Sequence, residues 1–178
     1  MLAKVSQKAP DFSMSTTKNL DELDHLARLS DYCGKWLIMF FYPMDFTFVC
    51  PTEIRGFNSR LEEFKKMNAE VLGVSTDSIF SHRAWIKTPP TAGGLGEIRY
   101  PLASDITKQV ARDYGVLLEE KGVALRGLFI IDPEGVLRYQ VITDENIGRS
   151  VDETLRVLQA LQTGGLCPID WHPGDRTL

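Results

Sequence analysis

Three short apolar runs, Trp36 to Tyr42, Glu70 to Ser75 and Gly127 to Asp132, constrain this chain more than any other feature. Each is rich in β-branched or aromatic residues and bounded by turn formers, as strands buried on both faces are. Around them, apolar residues recur at helical spacing. Ile54, Phe57, Leu61 and Phe64 form one such set. Ile79 to Ile86, stopped before Thr88-Pro89-Pro90, is a second, and Ile106 to Tyr114, closed by Gly115, a third. Val151, Leu155, Leu158 and Leu161 form the last, opened by the capping box Ser150-x-x-Glu153 and ended at Gly164-Gly165. Strands alternating with amphipathic helices bury their apolar faces by layering, so the expected fold is an α/β domain with helices against a central sheet. Asp132-Pro133-Glu134-Gly135 reads as a turn joining Leu128-Phe129-Ile130-Ile131 to Val136 through Ile142 in a hairpin, which makes at least one strand pair antiparallel and the sheet mixed. Asn19 to Leu29 is ambiguous: its leucines suit a helix, but its boundaries are weak.

The second constraint is chemical. Cys50 lies in Asp45-Phe46-Thr47-Phe48-Val49-Cys50-Pro51-Thr52-Glu53, where a strand pattern stops and a helical one begins. A sulfur at a helix start meets unpaired backbone N–H groups and the positive end of the macrodipole, which favour an anion over a neutral thiol. Pro51 suits a first helical position, since its missing N–H costs nothing there, and Glu53 can face the positive helix end. Pro43 closes the preceding strand, and a tight turn would bring the Thr47 hydroxyl near the sulfur with Pro43 screening it from water. Ionisation alone is a weak device. A thiol of pKa about 8.5 is about 3% thiolate at pH 7, so complete deprotonation gains at most roughly 30-fold in rate, about 2 kcal/mol. Attack by a thiolate also develops charge on the departing group, where a preorganised donor contributes ~3 kcal/mol. Arg126 and Thr47 are the candidate donors. Arg126 opens a buried-strand pattern, a costly place for a charge without a partner, and a thiolate would be a suitable one.

Composition excludes several function classes. The formal charge of −4 leaves no basic footprint for nucleic acid or an anionic membrane. No stretch approaches the roughly 20 apolar residues of a membrane span, and the N-terminus has no apolar leader core, so a cytoplasmic location is expected. Cys33, Cys50 and Cys167 are too few and scattered for a secreted disulfide framework, and no C-x-x-C pair suggests zinc or a dithiol. His25, His82 and His172 carry no motif around them, which leaves the base of a cysteine hydrolase unfilled and assigns them surface or capping roles. Trp85, on helical spacing, reads as a packing residue, and Trp171 as a potential reporter on nearby Cys167. Cys33, before a strand, reads as structural or incidental.

The run Phe41-Tyr42-Pro43-Met44-Asp45-Phe46-Thr47-Phe48-Val49-Cys50-Pro51-Thr52-Glu53 resembles the peroxidatic-cysteine signature of the peroxiredoxins, in the typical two-cysteine subfamily that includes the bacterial alkyl hydroperoxide reductase peroxidase. The resemblance continues through Ala84-Trp85, Gly93-Gly94-Leu95-Gly96, Leu125 to Asp132, Asn146-Ile147-Gly148-Arg149-Ser150 and Cys167-Pro168, nearly the whole chain. It implies a thioredoxin-like fold over residues 1–163 with a tail, 164–178, carrying Cys167 as resolving cysteine. It implies that Cys50 attacks hydrogen peroxide, small organic hydroperoxides or peroxynitrite to give a sulfenic acid, without metal, haem or flavin, in a pocket completed by Pro43, Thr47 and Arg126, with Glu53 and Arg149 holding Arg126. The partner subunit's Cys167 then condenses with the sulfenic acid into an intersubunit disulfide, which a thioredoxin or a flavoprotein disulfide reductase reopens. A homodimer, commonly in a ring of five dimers, is the implied assembly. A redox-regulated chaperone or peroxide sensor is the alternative. The chain departs from overoxidation-sensitive members in ending at Leu178 without their Tyr-Phe extension over the active-site helix, which implies fast resolution and resistance to sulfinic acid formation. Cys33 has no counterpart role in the family.

Overall fold

In a computed structural model, which describes residues 2–178, the chain forms β1 (Ser13–Thr16), β2 (Leu26–Arg28), β3 (Trp36–Phe41), α1 (Cys50–Ser59), α2 (Leu61–Lys66), β4 (Ala69–Ser75), α3 (Ile79–Lys87), β5 (Leu102–Ser104), α4 (Gln109–Asp113), β6 (Leu117–Leu118), β7 (Val123–Ala124), β8 (Arg126–Ile131), β9 (Leu137–Thr143) and α5 (Val151–Thr163). Seven strands make one sheet in the order β2-β1-β5-β4-β3-β8-β9, and β6 and β7 pair separately. β3, β4 and β5 run parallel, whereas β8 is antiparallel to both β3 and β9. The expected mixed sheet and the 132–135 hairpin are both present.

The unbroken apolar run of β3 follows from its central place. Ile38 and Phe40 point to one face, where they meet Ile54, Phe57, Phe64, Leu155 and Leu158. Leu37, Met39 and Phe41 point to the other and join Met14, Tyr114 and Phe129. A strand covered on both sides has no polar positions to alternate with. All four residues of the 54–64 set are buried, but two helices carry them: Arg60 leaves the helical region at φ −105°, ψ 11°. The third set yields only the short α4, because Asp105 caps Val110 and Ala111 and the chain before Gln109 is turn. Asn19 to Leu29 is mostly turn, ending in β2 and a 3-10 turn over Leu29–Tyr32. β1, β2, β5, β6 and β7 leave no strand signal in the sequence, being two to four residues long and without a long apolar run.

The molecule has two poles. β3 starts at Trp36, near the end of α5, and finishes at Phe41, leading into the turn before α1. Residues 164–178 fold back on α5: Trp171 is buried, its carbonyl accepts from Arg156 Nη1 at 2.8 Å, and Leu178 N donates to Leu166 O at 2.9 Å. Among the described residues no helix is long and apolar enough to cross a membrane.

Candidate active site

Cys50 is the first residue of α1, with Pro51 in the first turn. The Val49 carbonyl organises that turn, accepting from Thr52 N at 3.0 Å and Thr52 Oγ1 at 2.6 Å. The cysteine is only 1% exposed and packs in the cluster of Tyr42 and Ile54. Arg126 opens β8 and is buried beside it. Its Nη1 lies 3.5 Å from Cys50 Sγ and 2.6 Å from Glu53 Oε2, and its Nε donates to the Glu145 carbonyl at 2.6 Å.

Glu53 is the hub of the site. Besides Arg126 it accepts from the Arg149 backbone N and Nε on Oε1, at 2.7 and 2.8 Å, and from Arg149 Nη2 on Oε2 at 2.9 Å. Arg149 also donates from Nη1 to Gly127 O at 2.7 Å, and its guanidinium lies over the Phe40 ring, 5.3 Å from the centroid. Burial would raise the Glu53 carboxyl, but the hydrogen bonds and charge of Arg149, with the charge of Arg126, outweigh it and hold the group below its ordinary value. Two buried guanidiniums share one carboxylate. One positive charge is left over in this buried site, and Cys50 Sγ lies 3.5 Å from Arg126 Nη1.

Of the residues singled out in the sequence, Cys50, Arg126, Glu53 and Arg149 are therefore brought together. Pro43 is buried at the end of the preceding strand. The Thr47 hydroxyl donates to the Met44 carbonyl at 2.9 Å, not to the sulfur, which leaves its lone pairs as acceptors at the mouth of the turn. Cys167 is elsewhere. Its sulfur lies 3.5 Å from Thr163 Oγ1 and 3.7 Å from Ala160 O, at the far end of α5 from Arg149. With about 1.5 Å of rise per residue, it is roughly 15–20 Å along that helix from the Glu53 cluster. Cys33 is exposed on the rim of a cavity of about 250 Å³ behind the 132–135 turn.

Surface or capping roles do not describe His82. It is fully buried on α3, with Nδ1 2.7 Å from Asp45 Oδ2 and Nε2 3.0 Å from Ala103 O. Its spacing from Trp85 and Ile86, three and four residues on, puts it on the inner face, and that was the signal available in the sequence. Trp85 packs as expected, against Tyr42 and Phe46, and donates from Nε1 to Gly93 O at 3.0 Å.

The pattern of the AhpC/TSA family matches residues 5–140. The chain belongs to the AhpC/TSA family. Relatives of this AhpC/TSA protein include a putative peroxiredoxin in the rubredoxin operon of Clostridium pasteurianum, 58% identical over 98% of both chains. The chloroplastic 2-Cys peroxiredoxin BAS1 of Hordeum vulgare is 53% identical, covering 99% of this chain and 86% of that one. Among solved structures, the reduced 2-Cys peroxiredoxin of Plasmodium vivax superimposes with a TM-score of 0.93 at 40% identity, over 97% of this chain and 91% of that one. The AhpC/TSA chain is a peroxiredoxin of thioredoxin fold, a thiol-dependent peroxidase.

Proposed function

We propose that this peroxiredoxin reduces hydrogen peroxide and organic hydroperoxides by a cycle shared between two copies of the chain. The Cys50 thiolate attacks one peroxide oxygen, the O–O bond breaks, and the departing oxygen leaves with the electron pair and takes a proton to become water or an alcohol. Cys50 is left as a sulfenic acid. The Cys167 sulfur of a second subunit then displaces the sulfenic oxygen as water, giving a disulfide. A dithiol donor, a thioredoxin or a flavoprotein disulfide reductase, returns both thiols by exchange. Arg126 stabilises sulfur and departing oxygen in turn, Thr47 orients the peroxide by accepting a hydrogen bond from its O–H, Pro43 keeps water out, and Glu53 and Arg149 fix the Arg126 guanidinium.

The observation that carries the reading is the 3.5 Å approach of Arg126 Nη1 to Cys50 Sγ in a site with surplus positive charge. Two further features support resolution between subunits. Cys167 sits at the pole opposite Cys50, out of reach in its own chain without large rearrangement. β9 is an unpaired sheet edge, with Ile142 exposed on it and Ile147 exposed just beyond. Antiparallel pairing of β9 with a second β9 about a twofold axis reverses the partner end for end, setting its Cys167 pole beside the Cys50 pole. Met44, Phe46 and Phe48 on the active-site turn and Phe80 on α3 are exposed apolar side chains as well, of the kind that would join dimers into a ring.

One equivalent of hydrogen peroxide, followed by a non-reducing gel and peptide mass spectrometry on wild type, Cys50→Ser and Cys167→Ser, tests the cycle. A Cys50 to Cys167 link between chains in wild type, absent from both variants, is expected. A sulfenic acid that persists in wild type without that link would overturn the two-subunit cycle, and an unmodified Cys50 would overturn its first step.

A further inference from the structure

The active-site turn, residues 43–49, is tied to elements other than α1 through two neighbouring residues, Asp45 and Phe46. Asp45 is buried and takes three donors: Tyr42 OH on Oδ1 at 2.8 Å, and Ser81 Oγ and His82 Nδ1 on Oδ2 at 2.8 and 2.7 Å. Its own backbone N donates to Asp77 Oδ2 at 3.0 Å. His82 Nε2 faces the Ala103 carbonyl, which can only accept, so Nε2 carries a hydrogen and the short Nδ1 to Oδ2 contact holds another. Beside Asp45, Phe46 has φ +56°, a conformation that residues with a β-carbon rarely adopt, and its ring meets Trp85 at 5.8 Å between centroids. The receiving side chains Ser81, His82 and Trp85 all lie on α3. A strained turn is thus held shut against α3 and the residues just before it, with the buried Asp45 carboxylate taking most of the hydrogen bonds.

We propose that Asp45, gripped by His82, Ser81 and Tyr42, is the clasp that sets how often the Cys50 turn opens, and through it the fate of the Cys50 sulfenic acid. This rests on the peroxidase reading above. Cys50 is 1% exposed while the turn is closed, and Cys167 lies at the opposite pole of its chain, so forming the disulfide requires the sulfur to leave its pocket. While the clasp holds, the sulfenic acid instead stays beside Arg126, where a second peroxide can convert it to sulfinic acid, the peroxide leaving as water or alcohol. Opening of the clasp favours Cys167; persistence favours the second peroxide. Asp45 is a positioning residue and touches neither substrate nor sulfur.

Amide hydrogen exchange of residues 43–52 in the reduced full chain reads the opening directly. Asp45→Asn keeps the shape but presents an amide to donors that need a carboxylate, and should speed exchange there at least about 10-fold, with β4 and β8 unchanged. Ser81→Ala removes one donor and should act in the same direction with a smaller factor. When both variants are titrated with hydrogen peroxide, half-conversion of Cys50 to sulfinic acid should need several-fold more peroxide than in wild type. Exchange at the wild-type rate in both variants, or an unchanged ratio of disulfide to sulfinic acid, would overturn the proposal. Should Asp45→Asn unfold globally, Ser81→Ala alone decides. Absence of any Cys50 to Cys167 disulfide in wild type would count against the two-subunit cycle, while the exchange measurement, which uses no peroxide, still judges the clasp.

Discussion

Replacing Glu53 by Gln strikes the centre of the site with minimal change of shape, and its cost can be worked from the contacts. Glu53 accepts four hydrogen bonds, two on each carboxylate oxygen. A glutamine keeps one oxygen for two of them and turns an NH2 donor toward two guanidinium N–H groups. It also leaves Arg126 and Arg149 buried side by side with no counter-charge, at side-chain exposures of 4% and 3%. Removing one partner of a buried ion pair costs about 3–5 kcal/mol. For a chain of this length that corresponds to a fall in Tm of about 6–20 °C. The pH dependence follows in sign. Glu53 is held below its ordinary value of 4.5 in the folded state, so its contribution is complete above that value and is lost as pH falls through the lower folded value. Thermal unfolding of wild type and Glu53→Gln at fixed protein concentration should therefore show a wide gap at pH 7 that narrows below pH 4.5. A gap under about 2 °C at pH 7, or one that stays constant into acid, would refute the shared-carboxylate account.

Arg126→Met removes the donor to sulfur and to the departing oxygen, and should lower the second-order rate of Cys50 oxidation about 100-fold in stopped flow; a loss below threefold would remove Arg126 from the chemistry. Trp171 is buried on α5 only while the tail is docked, so peroxide should shift its emission to the red in wild type but not in Cys167→Ser. Gly94→Ala places a Cβ 1.8 Å from the Thr88 carbonyl oxygen, a backbone clash that no rotamer relieves, and should destabilise the 88–97 segment enough for limited proteolysis to cut there first.

The central strands and the long helix were legible because burial on two faces leaves an unbroken apolar run and burial on one leaves a 3.6 period. β1, β2 and β5 are three or four residues long, too short for a period to register. Arg60 breaks a helix whose buried positions keep their spacing across the break, so the pattern shows one element where the backbone makes two. Arg126 was legible as a charge in an apolar strand, and Cys50 as a thiol at a helix start. The roles of Glu53 and Arg149 emerged from family resemblance, since residues 53, 126 and 149 meet only in three dimensions. Asp45 and His82 were missed for the same reason: each looks like an ordinary polar residue until the fold buries both.

That meeting of distant segments has a consequence for how the protein comes into being. Cys50 leaves the ribosome about a hundred residues before Arg149, and neither the surplus charge nor the shared carboxylate exists until β8 and the residues leading into α5 have docked against α1. A nascent or misfolded chain therefore carries an ordinary thiol. The charge arrangement around the sulfur is thus a product of completed tertiary structure, so a finished molecule should react with peroxide faster than an unfinished one.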